Sequence, residues 1–205
     1  FVRNAVLYNG DFLGLKTASD SSQQYGADFL KPANRSTPQN LGLTPWQMLW
    51  DTKHWGGINW VERSYQSFIG VFGYMSVDCP QMVYRYYAGV FLLGAVGLCC
   101  AFREWLKKRK QSRDWIRLCF FLLMVVCVAI TVGLSIYYSY AVDYQAQGRY
   151  LYPMLIAVSL FTAKGLKWLA TQVSSGSVRS GLIGVFVGIS FTLSWTAYQL
   201  IFLPY

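Results

Sequence analysis

Residues 118–142 read LCFFLLMVVCVAITVGLSIYYSYAV, and none of these 25 positions carries a charged side chain. About 20 apolar residues in a helix are enough to cross the ~30 Å hydrocarbon core of a bilayer. Buried helices of water-soluble proteins seldom continue this far without a charge. This run therefore predicts a transmembrane helix.

Three further runs have the same character. The chain has 54% hydrophobic and 13% charged residues, whereas ordinary soluble domains have about 25% charged residues. Since the charges are clustered, long apolar runs remain between them. We predict an all-α integral membrane protein in which residues 1–82 form an exterior segment of short interfacial helices and loops. The predicted spans are residues 83–102, 116–142, 151–170 and 181–203.

The basic residues predict an orientation. The loop between the first two spans has seven basic and two acidic side chains, a net +5, and the loop between the last two has three basic and none acidic, a net +3. Residues 1–82 balance six basic against six acidic side chains. Because basic loops stay in the cytoplasm, residues 1–82, the hinge at 143–150 and the C-terminus are predicted to lie outside. The basic residues of the two loops are Arg103, Lys107, Lys108, Arg109, Lys110, Arg113, Arg117, Lys164, Lys167 and Arg179.

The exterior segment divides by composition. Residues 1–40 are rich in small polar side chains and are expected to be irregular. Thr44-Pro45 is a favourable helix start, and Gly56-Gly57 is expected to end that Trp-rich helix. A second short helix is expected over residues 59–72. Both helices are predicted to lie at the membrane surface or, alternatively, to shape a substrate groove.

Few residues suggest chemistry of their own. His54 is the one histidine in the sequence, and the exterior carboxylates show no spacing that selects a catalytic pair. No nucleotide-binding loop, disulfide framework or zinc-ligand spacing is present in the sequence. We therefore predict neither a cofactor nor a metal. A basic run between two spans indicates topology rather than a nucleic-acid partner.

The polar hinge DYQAQGRYLYP, residues 143–153, is the exception. Arg149 is expected just before the start of the third span, where a guanidinium and free backbone amides suit a phosphate group. Gly148 allows close approach, and Gln145 and Gln147 offer neutral hydrogen bonds. The alternative is an interfacial arginine that merely ends a span, and the residues alone leave both interpretations open.

Residues 147–153, QGRYLYP, resemble the Gln-Gly-Arg-Tyr-aromatic-Pro signature of the domain-of-unknown-function 2142 family. Upstream, residues 67–74, SFIGVFGY, resemble that family's Ser-Phe-x-Gly-x-Phe-Gly-aromatic segment, and Pro80 follows. These are bacterial polytopic membrane proteins grouped with the GT-C glycosyltransferases. The two matches fall in the family's order and cover roughly residues 40–170.

The resemblance implies an enzyme of the bacterial plasma membrane that transfers a sugar from a polyprenyl-phosphate carrier to an envelope glycan. Membrane lipids, the carrier-linked sugar and the glycan acceptor are the partners it implies. Arg149 would bind the carrier phosphate with help from Gln147 and Tyr150, while Asp143 would orient Arg149 or contact sugar hydroxyls. GT-C enzymes place an acidic catalytic residue in the first exterior loop, which is expected upstream of Phe1, so no catalytic residue is assigned.

Two other functions remain as alternatives. A transporter or flippase of lipid-linked saccharides would need a polar path, but the few hydroxyls within the spans are expected to serve helix packing. Gly184 and Gly188 form a small-xxx-small pair that also predicts packing. A non-catalytic membrane assembly protein is the other alternative. The hydroxyl side chains concerned are Thr131, Ser135, Ser190, Thr192 and Ser194.

Overall fold

The four predicted spans are helices in the structure, a computed structural model that describes residues 2–12, 14–28, 31–72, 75–108 and 114–201. Four helical segments are long and apolar enough to cross a membrane. The chain is therefore an integral membrane protein of the all-α class, as predicted. Residues 109–113 of the first basic loop, residues 73–74 at the end of the upstream motif, and positions 202–203 of the fourth predicted span lie outside the described residues.

Short elements precede the long helices. Eight α-helices, a two-stranded antiparallel hairpin and two 3-10 segments make up the regular structure of the described residues. In the hairpin, Val71 pairs with Asp78 and Phe72 with Val77. The elements are α1 (Val2–Leu7), α2 (Leu15–Tyr25), a 3-10 turn (Pro32–Asn34), α3 (Pro45–Trp50), α4 (Trp60–Gly70), β1 (Val71–Phe72), β2 (Val77–Asp78), α5 (Gln81–Lys108), α6 (Asp114–Ala141), a 3-10 segment (Gly148–Met154), α7 (Leu155–Thr171) and α8 (Gly176–Ile201).

The chain forms two compact units whose boundaries fall near the start of α4, within α6, and between Ala146 and Gln147. The first unit comprises Phe1–Val61 and Leu134–Ala146. The second comprises Glu62–Gly133 and Gln147–Tyr205. Each unit therefore combines segments that are far apart in the sequence.

In the first unit, residues of the polar N-terminal segment form hydrogen bonds with the end of α6. The indole Nε1 of Trp60 donates to Ser139 Oγ at 2.9 Å, and the Gln39 amide donates to the Tyr140 carbonyl at 3.2 Å. Arg35 Nη1 donates to the Val142 carbonyl at 3.2 Å. Met48 is fully buried in the same cluster as Trp60. These contacts fix the polar segment to an apolar helix.

The prediction that residues 1–40 are irregular is wrong, because α1 and α2 are helices. The sequence of α2, LKTASDSSQQY, contains Ser and Asp side chains that compete with helical hydrogen bonds. Two local features stabilise it. Gly14 takes the left-handed conformation at its start, with φ 72°, and the Asp11 carboxylate accepts the Thr17 amide at 2.8 Å. Composition alone does not predict this contact, because Asp11 lies six residues before Thr17 and outside the helix.

The predicted start of α3 is confirmed, and its predicted end is wrong. Thr44 caps the helix, Pro45 occupies its first turn, and the Gln47 and Thr44 side chains form a capping box. The helix ends at Trp50 because the Asp51 carboxylate accepts the Lys53 amide, at 3.0 Å, in a turn that leaves the helical path. Gly56 and Gly57 belong to the following turn.

Helices α5 and α7 cross closely in the second unit. A Cβ atom on Gly97 would overlap the Gly165 carbonyl, and one on Gly165 would overlap the Gly94 carbonyl. Thr162 lies directly against Gly94. Small residues therefore bring the two backbones together, as in other membrane helix pairs.

The packing role predicted for Gly184 and Gly188 is wrong for the described residues. A Cβ atom at either position would meet no atom within 4 Å. Ser190, Thr192 and Ser194 of α8 each donate to the carbonyl four residues earlier, and the Ser190 hydroxyl also contacts the Tyr86 hydroxyl of α5 at 2.8 Å. Thr131 of α6 does the same, donating to the Cys127 carbonyl at 2.9 Å.

A tyrosine fixes the hairpin and α4 to the start of α5. The Tyr84 hydroxyl donates to the Gly70 carbonyl at 2.8 Å and accepts the Cys79 amide at 2.9 Å. Tyr65 on α4 donates in turn to the Tyr84 carbonyl at 2.6 Å. A buried hydroxyl that both donates and accepts leaves little freedom to its neighbours. This arrangement positions α4 for its contact with the hinge.

Candidate functional site

The two sequence motifs come together in the second unit. A Cβ atom on Gly148 would overlap backbone atoms of Ser67 and Phe68, so the hinge backbone lies directly on α4. The Phe68 and Tyr152 rings are also neighbours, with centroids 6.0 Å apart. Only glycine permits this approach. The motifs are about 80 positions apart in the chain, and neither indicates the other.

A small pocket of about 180 Å³ opens where the motifs meet. It combines one guanidinium with an amide and two hydroxyl side chains on an otherwise apolar wall. Such a mixture of a cation and neutral hydrogen-bonding groups suits an oxyanion. The lining residues are Ser67, Val71, Met75, Gln147, Arg149 and Tyr152.

Arg149 is the only cation among the described residues that line this pocket. Its guanidinium lies 5.2 Å from the centre of the Tyr150 ring, and Nη2 donates to the Tyr150 hydroxyl at 3.3 Å. No carboxylate oxygen of the unit's described residues lies within 4.0 Å of it. Arg63, by contrast, is paired with Asp78 at 2.7 Å. Arg149 therefore keeps donors for an anionic ligand.

Arg149 lies within the 3-10 segment Gly148–Met154, and not just before a helix as predicted. Pro153 falls inside this segment, which leads directly into α7. Gln147 precedes it with an extended backbone, φ −121° and ψ 124°, and its carbonyl accepts the Tyr150 amide at 3.2 Å. Gln147 and Arg149 thus both line the pocket, while Tyr150 supports the guanidinium from its side.

Asp143 is held by a different partner. Its carboxylate accepts a hydrogen bond from Gln145 Nε2, and its amide donates to the Tyr138 carbonyl at 3.0 Å. Both contacts lie in the first unit. The predicted role of Asp143 in orienting Arg149 or contacting sugar hydroxyls stays a prediction.

Met75 lines the pocket and was missed by sequence reasoning. Its backbone adopts a left-handed conformation with φ 68°, which is uncommon for a residue other than glycine. Arg63 Nη2 donates to its carbonyl, and the Ser67 hydroxyl donates to its sulfur at 3.3 Å. Polar contacts on both sides thus hold a strained residue in place. No local sequence signal marks such a position.

A larger apolar cavity of about 590 Å³ adjoins the same part of α4. Its walls come from α4, α5, α7 and α8. Phe68 lines this cavity, and its ring lies 6.5 Å from that of Phe91 on α5. Phe68 also neighbours Tyr152 of the small pocket, so a contact between two aromatic rings lies between the cavity and the pocket.

The first unit holds a separate pair of ionisable residues. The Asp51 carboxylate accepts a hydrogen bond from His54 Nδ1 at 2.7 Å. Because a carboxylate only accepts, Nδ1 carries the proton of this hydrogen bond. Burial, the largest influence, raises the pKa of Asp51, but hydrogen bonds from the Lys53 amide and the His54 ring outweigh it, so the pKa lies below its ordinary value.

An aromatic stack accompanies this pair. The Trp55 and Tyr144 rings are parallel, with centroids 3.8 Å apart. Burial and then the charge of Asp51 raise the pKa of Tyr144 to about 12. The Asp-x-x-His spacing could have indicated the Asp51–His54 pair, because residues three apart share one face of a turn.

Comparison of the chain with protein-family models, with curated proteins and with solved structures finds no match. The resemblance to the domain-of-unknown-function 2142 family therefore rests on the two sequence motifs and stays a prediction.

Proposed function

We propose that the chain is part of a GT-C-like membrane glycosyltransferase and that the pocket at Arg149 holds the phosphate of a polyprenyl-phosphate-linked sugar. The observation that carries the proposal is the pairing of two compartments. A cationic pocket of about 180 Å³ and an apolar cavity of about 590 Å³ lie on either side of one ring contact. Tyr152 lines the pocket, Phe68 lines the cavity, and their ring centroids are 6.0 Å apart. An amphipathic ligand with an anionic head and a long hydrocarbon chain matches both.

The polar compartment supplies the chemistry for the phosphate. Arg149 offers two parallel N–H donors, the geometry that a phosphate accepts best. Gln147, Ser67 and Tyr152 add neutral groups that can contact the remaining phosphate oxygens or the sugar.

The apolar compartment suits the isoprenoid chain. Its walls are mostly hydrocarbon and include Phe91, Leu155 and Leu193. Each buried CH₂ group stabilises binding by ~0.8 kcal/mol, so several isoprene units would contribute as much as the charged head. Specificity for the head would then come from the pocket.

In the proposed reaction, an acceptor hydroxyl attacks the anomeric carbon of the donor sugar. The bond from that carbon to the phosphate oxygen breaks, and the carrier phosphate leaves with the electron pair. Arg149 stabilises the negative charge that develops on this leaving group. None of the described residues lining the pocket is a carboxylate or an imidazole, so the base that receives the hydroxyl proton is not assigned to it.

The proposed location is the outer side of the bacterial plasma membrane. Two basic loops, with net charges of +5 and +3 from the counts above, support a cytoplasmic position for the other side of the bundle. An enzyme is preferred to a transporter because Thr131, Ser190, Thr192 and Ser194 each donate to a carbonyl of their own helix.

The test replaces Arg149 in the full-length protein. Binding of a labelled polyprenyl-phosphate sugar in detergent should weaken about 10- to 100-fold in R149A, since a hydrogen-bonded charge contributes ~1.5–3 kcal/mol. R149K should lie between R149A and the parent, because lysine keeps the charge without the two-pronged geometry.

Arg85 provides the matched control. It is exposed on α5 and lines none of the described pockets, so R85A should bind within about twofold of the parent. Normal donor binding by R149A, together with normal glycan modification in cells, would refute the phosphate role.

A further inference from the structure

A second group of cations lies where α6 begins and α7 ends. Two cavities, of about 610 Å³ and 310 Å³, open there and share Arg117, Phe121 and Lys164. Lys167 lines the larger one. The sequence presents these residues in two separate loops, and the structure brings them to common cavities.

The positive charges reinforce one another. Lys164 and Lys167 are three positions apart and share one face of α7, while Arg117 approaches from α6. No carboxylate oxygen of the described residues lies within 4.0 Å of either lysine Nζ. Lys164 and Lys167 therefore give the cavities a positive surface that attracts an anion.

The walls indicate what kind of anion belongs there. Leu160 and Phe161 of α7 line the larger cavity, and Trp105 of α5 lines the smaller one. The Phe121 ring borders both, with its centroid 5.2 Å from those of Phe102 and Phe161. Free phosphate would leave this apolar surface uncovered, whereas a lipid with acyl chains would cover it.

We propose that this basic cavity, defined by Arg117, Phe121, Lys164 and Lys167, binds an anionic phospholipid. The phosphate of the headgroup lies among the cations, and the acyl chains lie along the aromatic walls. A net negative headgroup fits because a zwitterionic one would bring its own cation to a positive site. The proposal does not depend on the function proposed for Arg149.

The experiment uses the purified full-length protein and phosphatidylglycerol as the probe. Retention of phosphatidylglycerol and of phosphatidylcholine is compared by native mass spectrometry after exchange into lipid–detergent micelles. The parent should retain phosphatidylglycerol preferentially. K164Q/K167Q should weaken that retention about 10- to 30-fold, because each lysine near an anionic lipid contributes about fivefold.

Arg103 and Lys107 supply the matched control. They lie four positions apart on α5, are exposed and line neither cavity, so R103Q/K107Q should stay within about twofold of the parent. An equal loss in both double variants would overturn the proposal, since it would show only a general effect of charge.

Two further measurements separate the remaining outcomes. Inorganic phosphate at millimolar concentration should not displace the lipid, and displacement would show a simple anion site. If K164Q/K167Q does not fold, K164R/K167R keeps the charge and should keep the preference. Loss of the preference in K164R/K167R, or its absence in the parent, would refute phospholipid binding.

Discussion

Arg149 and the pair Lys164 and Lys167 lie at opposite ends of one helical span, Gly148–Thr171. Both ends combine cations with apolar walls, but they are built differently. Arg149 belongs to a pocket that has neutral hydrogen-bonding groups and a backbone contact between two segments. The lysines, which are exposed as Arg149 is, share cavities that aromatic rings line.

This difference in construction predicts how selective each end is for its ligand. A planar guanidinium among fixed neutral groups can distinguish one phosphate ester from another by geometry. Flexible ammonium groups attract any lipid of the right charge. We therefore expect specific donor recognition at Arg149 and recognition of a lipid class at the lysines. The predictions below test that contrast.

The largest effect is expected from Gly165→Leu, which should disturb both ends at once. The new side chain would be forced into the backbone of α5 at Gly94, so α5 and α7 would have to separate. We expect a loss of about 3 kcal/mol or more in stability, with binding lost at both sites. Thermal unfolding in detergent, followed together with both binding assays, measures it.

Gly184→Leu is the control for that change. A Cβ atom at Gly184 meets no described atom within 4 Å, so this variant should unfold near the parent temperature. Equal stability of the two variants would mean that α5 and α7 do not pack through Gly165.

Gly148→Ala should impair binding at the Arg149 pocket and leave the basic cavity unaffected. Its Cβ would overlap the backbone at Phe68, which cannot move aside as a flexible side chain could. We expect donor-lipid binding to fall about 100-fold, with ~1–3 kcal/mol lost in stability, while phosphatidylglycerol retention stays normal. Gly133→Ala, where the space is open, serves as control. Unchanged donor binding in Gly148→Ala would show that the pocket does not depend on this contact.

The sequence predicted those parts of the molecule that depend on local composition. The uncharged run 118–142 was sufficient to identify a membrane helix, and Thr44 with Pro45 marked the start of α3 correctly. The helix α2 was missed because its polar residues resemble a loop, and its stabilising contact from Asp11 lies outside the helix.

The candidate site was predictable only as separate pieces. The sequence predicts Arg149 and Gln147 as site residues, whereas it marks Ser67 only as part of a motif. Their meeting depends on Gly148 lying against α4, a contact across about 80 positions. The position of Met75 in the pocket depends on its φ of 68°, which composition does not reveal. Long-range packing decides such contacts, and one sequence contains no periodic signal for them.

The smallest expected effect is a difference in how salt weakens lipid binding at the basic cavity and at the Arg149 pocket. The Debye length falls from about 10 Å at 0.1 M salt to about 3 Å at 1 M. Three cations line the basic cavity and one lines the pocket, so phosphatidylglycerol retention should weaken about fivefold or more and donor-lipid binding about twofold. Titration of each lipid across this range measures both. K164Q/K167Q should reduce the salt dependence of phosphatidylglycerol retention and leave that of donor-lipid binding unchanged. Equal salt responses at the two ends would contradict the distinction, because recognition at Arg149 would then rest on charge alone.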